Sequence, residues 1–204
     1  MSRILTAVTA AAALLAVTAA AFAAQENMSI GFRGNSDPDG RFSGGAPLGC
    51  LFGGGGSSPI PRQNVSFNGS YVPGTIIVNT SERRLYLVTG NGQAIRYGIG
   101  VGRVGFTWAG NTVVSAKKEW PDWTPPAQML QRRKDLPRFM PGGPNNPLGA
   151  RAMYLGHSLF RIHGSNEPET IGTAVSSGCF RLTNEDVIDL YSRVRVGARV
   201  IVLR

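Results

Sequence analysis

Residues 161–191 read RIHGSNEPETIGTAVSSGCFRLTNEDVIDLY, and they bring the reactive side chains of the chain together. Cys179 ends a small-residue turn (SSGC, 176–179) between two strand-like runs, and His163, one of only two histidines, lies upstream of it. A thiol is nucleophilic as its thiolate, and a nearby imidazole commonly produces one. A Ser/Gly turn can also direct successive backbone N–H groups toward one point, as an oxyanion hole requires. A buried structural cysteine beside a strand histidine would fit these residues too, so both interpretations stay open.

The pattern of the whole stretch narrows that choice. HGSNEPETIGTAVSSGCFR, from His163 to Arg181, resembles the active-site signature of the L,D-transpeptidases, the YkuD-like (ErfK-type) enzymes of peptidoglycan. The upstream runs GVGRVGFTWAG, WPDWTPPAQM and NNPLGARAMYLG are similar to the same family, so the resemblance covers roughly residues 73–204. One position departs, because many members have His where this chain has Ser177. Serine is tolerable there if the residue contributes mainly its backbone N–H, and activity is in doubt if the side chain takes part.

Short strand-like runs separated by turns point to a mostly β domain. They cover residues 75–79, 84–88, 94–101, 112–117, 151–155, 159–163 and 199–204. Asn91-Gly92 supplies the positive φ angles that a tight hairpin turn needs. The pattern indicates a β-sandwich or barrel rather than βαβ units, and the resemblance implies an L,D-transpeptidase-like version of it. A C-terminal helix that starts at Thr183 or Asn184 is expected to pack on the sheet.

Residues 119–148 interrupt the strands with a Pro-rich excursion. Their seven prolines exclude a central strand, and a loop of this length is often a lid or a binding loop. A short helix is expected over residues 128–134. Trp120 and Trp123 in this loop either contact a substrate or hold the loop down by apolar contacts.

The resemblance implies a cysteine acyl-transferase. In that reading, Cys179 attacks the carbonyl of the third, di-acid residue of a peptidoglycan stem peptide and expels the terminal D-alanine. His163 takes the thiol proton and passes it to the leaving amine, and the backbone carbonyl of Gly164 orients its imidazole. The backbone N–H groups of Ser177, Gly178 and Cys179 are expected to hold the oxyanion.

Three more residues are candidates for substrate binding. Arg181 matches the family pattern, and it either binds a stem carboxylate or forms a structural ion pair. Tyr154 and Ser176 are expected to line the site. No cofactor is expected, and two histidines with two scattered cysteines do not make a metal site. The resemblance also implies that carbapenem-type β-lactams acylate Cys179.

The acceptor stays open at this point. Another stem peptide would give a 3→3 cross-link, the lysine of an exported protein would become attached to the wall, and water would make the enzyme an L,D-carboxypeptidase. A rival of another class is a catalytically weak wall-binding protein, suggested by Ser177. A cysteine peptidase that cuts stem peptides is a further alternative.

The N-terminal part indicates export. Residues 1–23 read as a signal peptide: a basic start, an Ala/Leu/Val run and the small-x-small site Ala21-Phe22-Ala23. An uncleaved anchor is the alternative. Residues 24–70, rich in Gly, Ser and Pro, are expected to be a flexible linker before a catalytic domain at 71–204. Cys50 in the linker is expected to be a thiol without a specific role, and a regulatory disulfide to Cys179 is the alternative.

The formal net charge is +9. This excess of positive charge suits a polyanionic surrounding such as the cell envelope or periplasm. Nucleic acid is a poor partner for an exported chain that carries no recognition motif.

Overall fold

The structure is a computed structural model that describes residues 58–204. The predicted signal peptide, most of the predicted linker and Cys50 lie outside the described residues. No helix within the described part is long and apolar enough to cross a membrane.

The described residues form eleven strands, two α-helices and one 3-10 turn at Pro168–Thr170. The helices are α1 (Ala127–Arg132) and α2 (Asn184–Arg193). The strands are β1 (Gln63–Ser66), β2 (Ile76–Asn79), β3 (Arg84–Gly90), β4 (Gln93–Gly98), β5 (Val101–Gly102), β6 (Gly110–Glu119), β7 (Arg151–Leu155), β8 (Arg161–His163), β9 (Ala174–Ser176), β10 (Phe180–Arg181) and β11 (Arg199–Leu203).

Nine of these strands form one sheet in the order β1-β4-β3-β2-β11-β6-β7-β8-β10. The C-terminal strand β11 lies in its middle, parallel to β2 and antiparallel to β6. Strands β5 and β9 form a separate parallel pair, and a bridge between Gly100 and Arg181 connects the chain after β4 to the last strand, β10. The predicted mostly β fold is confirmed, and the last strands of the sheet are the ones that carry the candidate residues.

The core lies between one face of the sheet and α2. Its largest fully buried side chains include Tyr97 and Phe180, and α2 contributes Val187 and Leu190. Thr183 caps this helix as predicted, since its Oγ1 accepts a hydrogen bond from the Asp186 N–H at 3.2 Å. A smaller cluster around Phe67 and other buried side chains covers the opposite face.

The structured part starts earlier than the sequence predicts. The sequence places residues 58–70 in a flexible linker, but β1 pairs antiparallel with β4. Phe67, only 3% exposed, packs against the ring of Tyr86 with their centroids 5.2 Å apart. The expected linker boundary at residue 70 is therefore wrong. Strand β1 is short and largely polar, so its composition alone does not predict that it pairs with β4.

The Pro-rich excursion is present as an ordered loop. Its helix α1 begins directly after Pro126 and has no buried residue, one residue earlier than predicted. Trp123 and Met140 pair across the loop through two backbone hydrogen bonds of 2.8 Å. The predicted strand at 94–101 is split, because the chain leaves the sheet after Gly98 and Gly100 pairs with Arg181 instead.

Candidate active site

The site is built on two neighbouring parallel strands, β8 and β10. Ile162 pairs with Phe180, and both side chains are buried in the core. Side chains alternate between the two faces of a strand. The residues on either side of this pair therefore share the opposite face, and they are Arg161, His163, Cys179 and Arg181.

His163 is buried, with 4% of its surface exposed. Its Nδ1 lies 2.5 Å from the carbonyl oxygen of Gly164. A carbonyl only accepts, so Nδ1 carries the proton and Nε2 is left as an acceptor. Burial, followed by the guanidinium of Arg181, lowers the pKa of His163 to about 3. The imidazole is therefore neutral at physiological pH.

Cys179 is half-buried, and its thiol donates to the carbonyl oxygen of Leu159 at 3.8 Å. Burial raises the pKa of the thiol, while hydrogen bonds and charge from Arg161 oppose that increase. Within the described part of the chain no hydrogen bond joins Cys179 to His163. Both side chains nevertheless line the same cleft, so the predicted nucleophile and base share one wall of it.

The cleft has a volume of about 740 Å³ and lies between the strand ends and the Pro-rich loop. The loop contributes apolar side chains such as Trp123 and Met129. The cleft is lined by five arginines and one acidic residue, Glu167, and the arginines are Arg103, Arg132, Arg133, Arg161 and Arg181. Such an excess of positive charge favours an anionic ligand.

The turn before Cys179 is closed by the side chain of Ser176. The hydroxyl of Ser176 donates to the Cys179 carbonyl at 2.6 Å and accepts from the Gly178 N–H at 3.1 Å. Because the Gly178 N–H already donates to Ser176, only two of the three predicted oxyanion donors remain. The N–H groups of Ser177 and Cys179 have no acceptor among the described residues. Ser176 borders the cleft, but its side chain organises the turn.

The same turn depends on Trp108, which is not among the site residues predicted from the sequence. Its indole Nε1–H donates to the Gly178 carbonyl at 3.0 Å, and its ring stacks on Phe160 with the centroids 4.7 Å apart. Gly178 has a φ of +105°, and an added Cβ would lie 2.5 Å from the Phe160 ring. Only glycine fits this position. The available signal was the GVGRVGFTWAG run, whose single tryptophan needs an acceptor for its N–H when partly buried.

The other predicted residues take different positions. Arg181 lines the cleft and forms an ion pair with Glu167 at 3.0 Å, which is the structural alternative weighed from the sequence. Tyr154 is not among the cleft residues, and it lies instead against the guanidinium of Arg161, 5.2 Å from ring centroid to Cζ. Among residues 58–204, no three His, Cys, Asp or Glu side chains converge as ligands for a metal ion.

Comparison with protein families gives a match over residues 73–202 to the model of the L,D-transpeptidase catalytic domain, YkuD. Among curated relatives, the chain is 41% identical over 132 residues to the probable L,D-transpeptidase ErfK/SrfK of Escherichia coli K12, covering 61% of this chain and 42% of the relative. It is 42% identical over 134 residues to the probable L,D-transpeptidase YbiS of the same strain, covering 61% and 43%. The match therefore spans less than half of the length of these relatives.

Solved structures show the same architecture. An L,D-transpeptidase from Mycobacterium smegmatis matches with a TM-score of 0.52 at 16% identity, over 64% of this chain and 58% of that one. The ertapenem-acylated catalytic domain of the Enterococcus faecium L,D-transpeptidase matches with a TM-score of 0.51 at 20% identity, over 66% and 100%. At these identities the likeness concerns the fold, and it confirms the fold class predicted from the sequence.

Proposed function

Because the chain belongs to the L,D-transpeptidase catalytic-domain family, we propose that it joins peptidoglycan stem peptides through a thioester on Cys179. Membership of the family supports peptidoglycan cross-linking or anchoring as the general activity. The observation that carries the assignment to residues is the shared face of β8 and β10, where Cys179 and His163 line one cleft.

In the first half-reaction, the Sγ–H proton of Cys179 passes to Nε2 of His163 as sulfur attacks the carbonyl carbon of the third stem residue. The Gly164 carbonyl holds Nδ1–H, so Nε2 is the nitrogen that accepts. The N–H groups of Ser177 and Cys179 stabilise the oxyanion. The C–N bond to the terminal D-alanine then breaks, the imidazolium protonates the leaving amine, and a thioester remains.

In the second half-reaction, an acceptor amine attacks the thioester carbonyl. His163 takes a proton from the amine and returns it to the departing sulfur, which regenerates the thiol. A stem-peptide amine gives a 3→3 cross-link, and a lysine of an exported protein gives a protein anchored to the wall. Water in place of the amine gives the L,D-carboxypeptidase reaction.

The charge of the cleft supports a stem peptide as the donor. Such a donor carries carboxylates on the third residue and on the terminal D-alanine. Arg103 and Arg132 line the cleft without an ion-pair partner among the described residues. Guanidinium groups bind carboxylates well because two N–H groups match the two oxygens.

Export completes the proposal. We infer that residues 1–23 are removed as a signal peptide and that residues 24 onward act in the periplasm or cell envelope, where stem peptides are found. We also infer that carbapenem-type β-lactams acylate Cys179, in line with the ertapenem adduct named for the Enterococcus faecium domain. An added mass on the Cys179 peptide after incubation with a carbapenem checks this inference.

The first experiment is mass spectrometry of residues 24–204 incubated with a disaccharide-tetrapeptide, beside the Cys179→Ala variant. A cross-linked dimer that has lost one D-alanine, absent with the variant, is the expected result. Tripeptide alone would assign the carboxypeptidase reaction. An unchanged substrate with no acyl group on Cys179 would contradict the proposal and leave a wall-binding protein, the alternative that Ser177 suggests.

A further inference from the structure

The register of β8 and β10 places Arg161, rather than His163, next to Cys179. Because Ile162 pairs with Phe180 in parallel register, Arg161 lies directly beside Cys179, and His163 lies one pair further along the strands. We propose that Arg161 is a further catalytic residue, which stabilises the Cys179 thiolate directly, and that Tyr154 is the residue that positions it. This inference rests on the proposed role of Cys179 as the nucleophile.

The contacts around Leu159 show how close the two groups are. Arg161 Nη1 donates to the Leu159 carbonyl at 3.1 Å, and the Cys179 thiol donates to the same oxygen at 3.8 Å. The backbone and the guanidinium of Arg161 both oppose the rise in the pKa of the Cys179 thiol that burial causes. A thiolate has no proton to donate and only accepts, so ionisation of Cys179 would replace the weak thiol donation by acceptance from a charged donor.

Arg161 also has donor capacity to spare. Its Nε is buried and has no hydrogen-bond partner in the described part of the chain. A buried N–H without an acceptor costs free energy, and that cost falls if an anion forms beside it. Unlike Arg181, which pairs with Glu167, Arg161 has no carboxylate partner among residues 58–204. Its full positive charge is therefore available to the sulfur.

Tyr154 explains why the guanidinium stays in this position. Tyr154 and Arg161 are directly opposite each other on β7 and β8, and the ring centroid of the tyrosine lies 5.2 Å from Cζ of the arginine. A cation over an aromatic face is attracted to it. The tyrosine therefore acts on the sulfur through Arg161, which gives it a role although it does not border the cleft.

The charged and titratable groups around Cys179 come from four sides. Strand β8 contributes Arg161 and His163, and β10 contributes Arg181, which pairs with Glu167 from the loop after β8. Strand β7 contributes Tyr154 behind Arg161, and Arg103, Arg132 and Arg133 line the cleft. His163 does not stabilise a resting thiolate as imidazolium, because burial and the guanidinium of Arg181 lower its pKa to about 3. Burial raises the pKa of Cys179 and Arg161 opposes it, so loss of Arg161 should raise it further.

The test is the pH dependence of Cys179 alkylation by iodoacetamide in residues 24–204, followed on the tryptic peptide of Cys179. The peptide of Cys50 serves as an internal reference thiol. Arg161→Gln should move the midpoint of the Cys179 profile upward by about one pH unit, the effect typical of a lost adjacent charge, and Arg161→Lys should move it less. Tyr154→Leu should move it upward and Tyr154→Phe should not.

Arg96→Gln is the matched control. Arg96 is a half-buried strand arginine whose Nε is also buried without a partner, but it lies on β4, outside the cleft. Its substitution should leave the profile unchanged. A shift of equal size in this variant would mean that the Cys179 profile responds to the loss of any positive charge, and not specifically to the loss of the charge beside the sulfur. That result would overturn the proposal.

An unchanged profile in folded Arg161→Gln would overturn the proposal as well. A shift of the profile in His163→Gln without a shift in Arg161→Gln would have the same meaning. If Arg161→Gln does not fold, Tyr154→Leu and Tyr154→Phe decide: different profiles support the proposal and identical ones refute it. Alkylation needs no stem peptide. A shifted profile together with absent transfer would therefore count against the proposed function alone.

Discussion

At the scale of single residues, the surroundings of His163 favour its neutral imidazole over the protonated form. Its Nδ1–H donates to Gly164, its ring is buried, and Arg181 and Arg161 add positive charge nearby. The pKa is about 3 in the folded protein and about 6.5 in an unfolded chain. Between these two values the unfolded chain binds a proton that the folded protein does not. Stability is therefore complete above pH 6.5 and is lost as the pH falls toward 3.

This predicts an acid-sensitive free energy of unfolding that depends on one side chain. From pH 6.5 to pH 5 the loss due to His163 is expected to be about 2 kcal/mol, at 1.36 kcal/mol per pH unit. Urea unfolding of the wild type and of His163→Gln at pH 7, 6 and 5 measures it, and the variant should show a flatter dependence. His157→Gln, at the exposed turn after β7, is the control and should behave as the wild type. Parallel curves for wild type and His163→Gln would refute the prediction.

Sequence alone predicts Cys179 and His163 as nucleophile and base because their residue types and the surrounding signature are local. It also anticipated the contact between His163 and the Gly164 carbonyl, which is present at 2.5 Å. It could not identify Arg161, since its position beside the sulfur depends on the parallel register of β8 and β10. The engaged Gly178 N–H was equally hidden, because it depends on the rotamer of Ser176.

At the scale of elements, the loop between β5 and β6 supports the turn that carries Cys179. Trp108 donates to the Gly178 carbonyl and stacks on Phe160. The indole hydrogen bond fixes the peptide between Gly178 and Cys179, and this peptide carries one of the two N–H groups that remain for the oxyanion. The loop thus couples turn geometry to the proposed chemistry.

Trp108→Phe should slow acylation of Cys179 by the donor about fivefold, because it removes a hydrogen bond worth about 1 kcal/mol while it keeps the ring stack. Single-turnover acylation followed by intact mass measures the rate. Trp120→Phe is the matched control, since Trp120 is 44% exposed and lies outside the cleft, and its rate should not change. Equal rates for wild type and Trp108→Phe would contradict the supporting role.

The strands that sequence predicts well are those with apolar runs of their own. Strands β2 and β3 match the predicted segments because their own sequences contain the apolar side chains that become buried, such as Ile76, Val78 and Leu85. By contrast, β1 exists through backbone pairing with β4, and its side chains are mostly exposed. Strands of that kind are determined by a neighbour, so pattern and composition miss them.

At the scale of the whole molecule, the segment before β2 ties distant elements together. The guanidinium of Arg62 lies 3.5 Å from Asp186 and 3.4 Å from Asp189, both on α2. The side chain of Ile60 fills the space above Gly98 and Gly172, where a Cβ would lie 2.6 and 2.8 Å from it. This segment therefore links β4, α2 and the loop that leads to β9, which is the strand before the Cys179 turn.

A chain that starts at residue 71, where the sequence predicts the domain boundary, should consequently be less stable than one that starts at residue 58. The loss of Phe67 alone should cost about 3–5 kcal/mol, the range for removal of a buried aromatic side chain, because Phe67 is 3% exposed between Tyr71 and Tyr86. Urea unfolding of the two chains measures the difference, and Phe67→Ala in the longer chain should reproduce most of it. Arg62→Gln should cost no more than about 1 kcal/mol, because an ion pair with an arginine one third exposed contributes little. Equal stability of the two chains would contradict this prediction, because it would mean that β1 and Phe67 add no net stability.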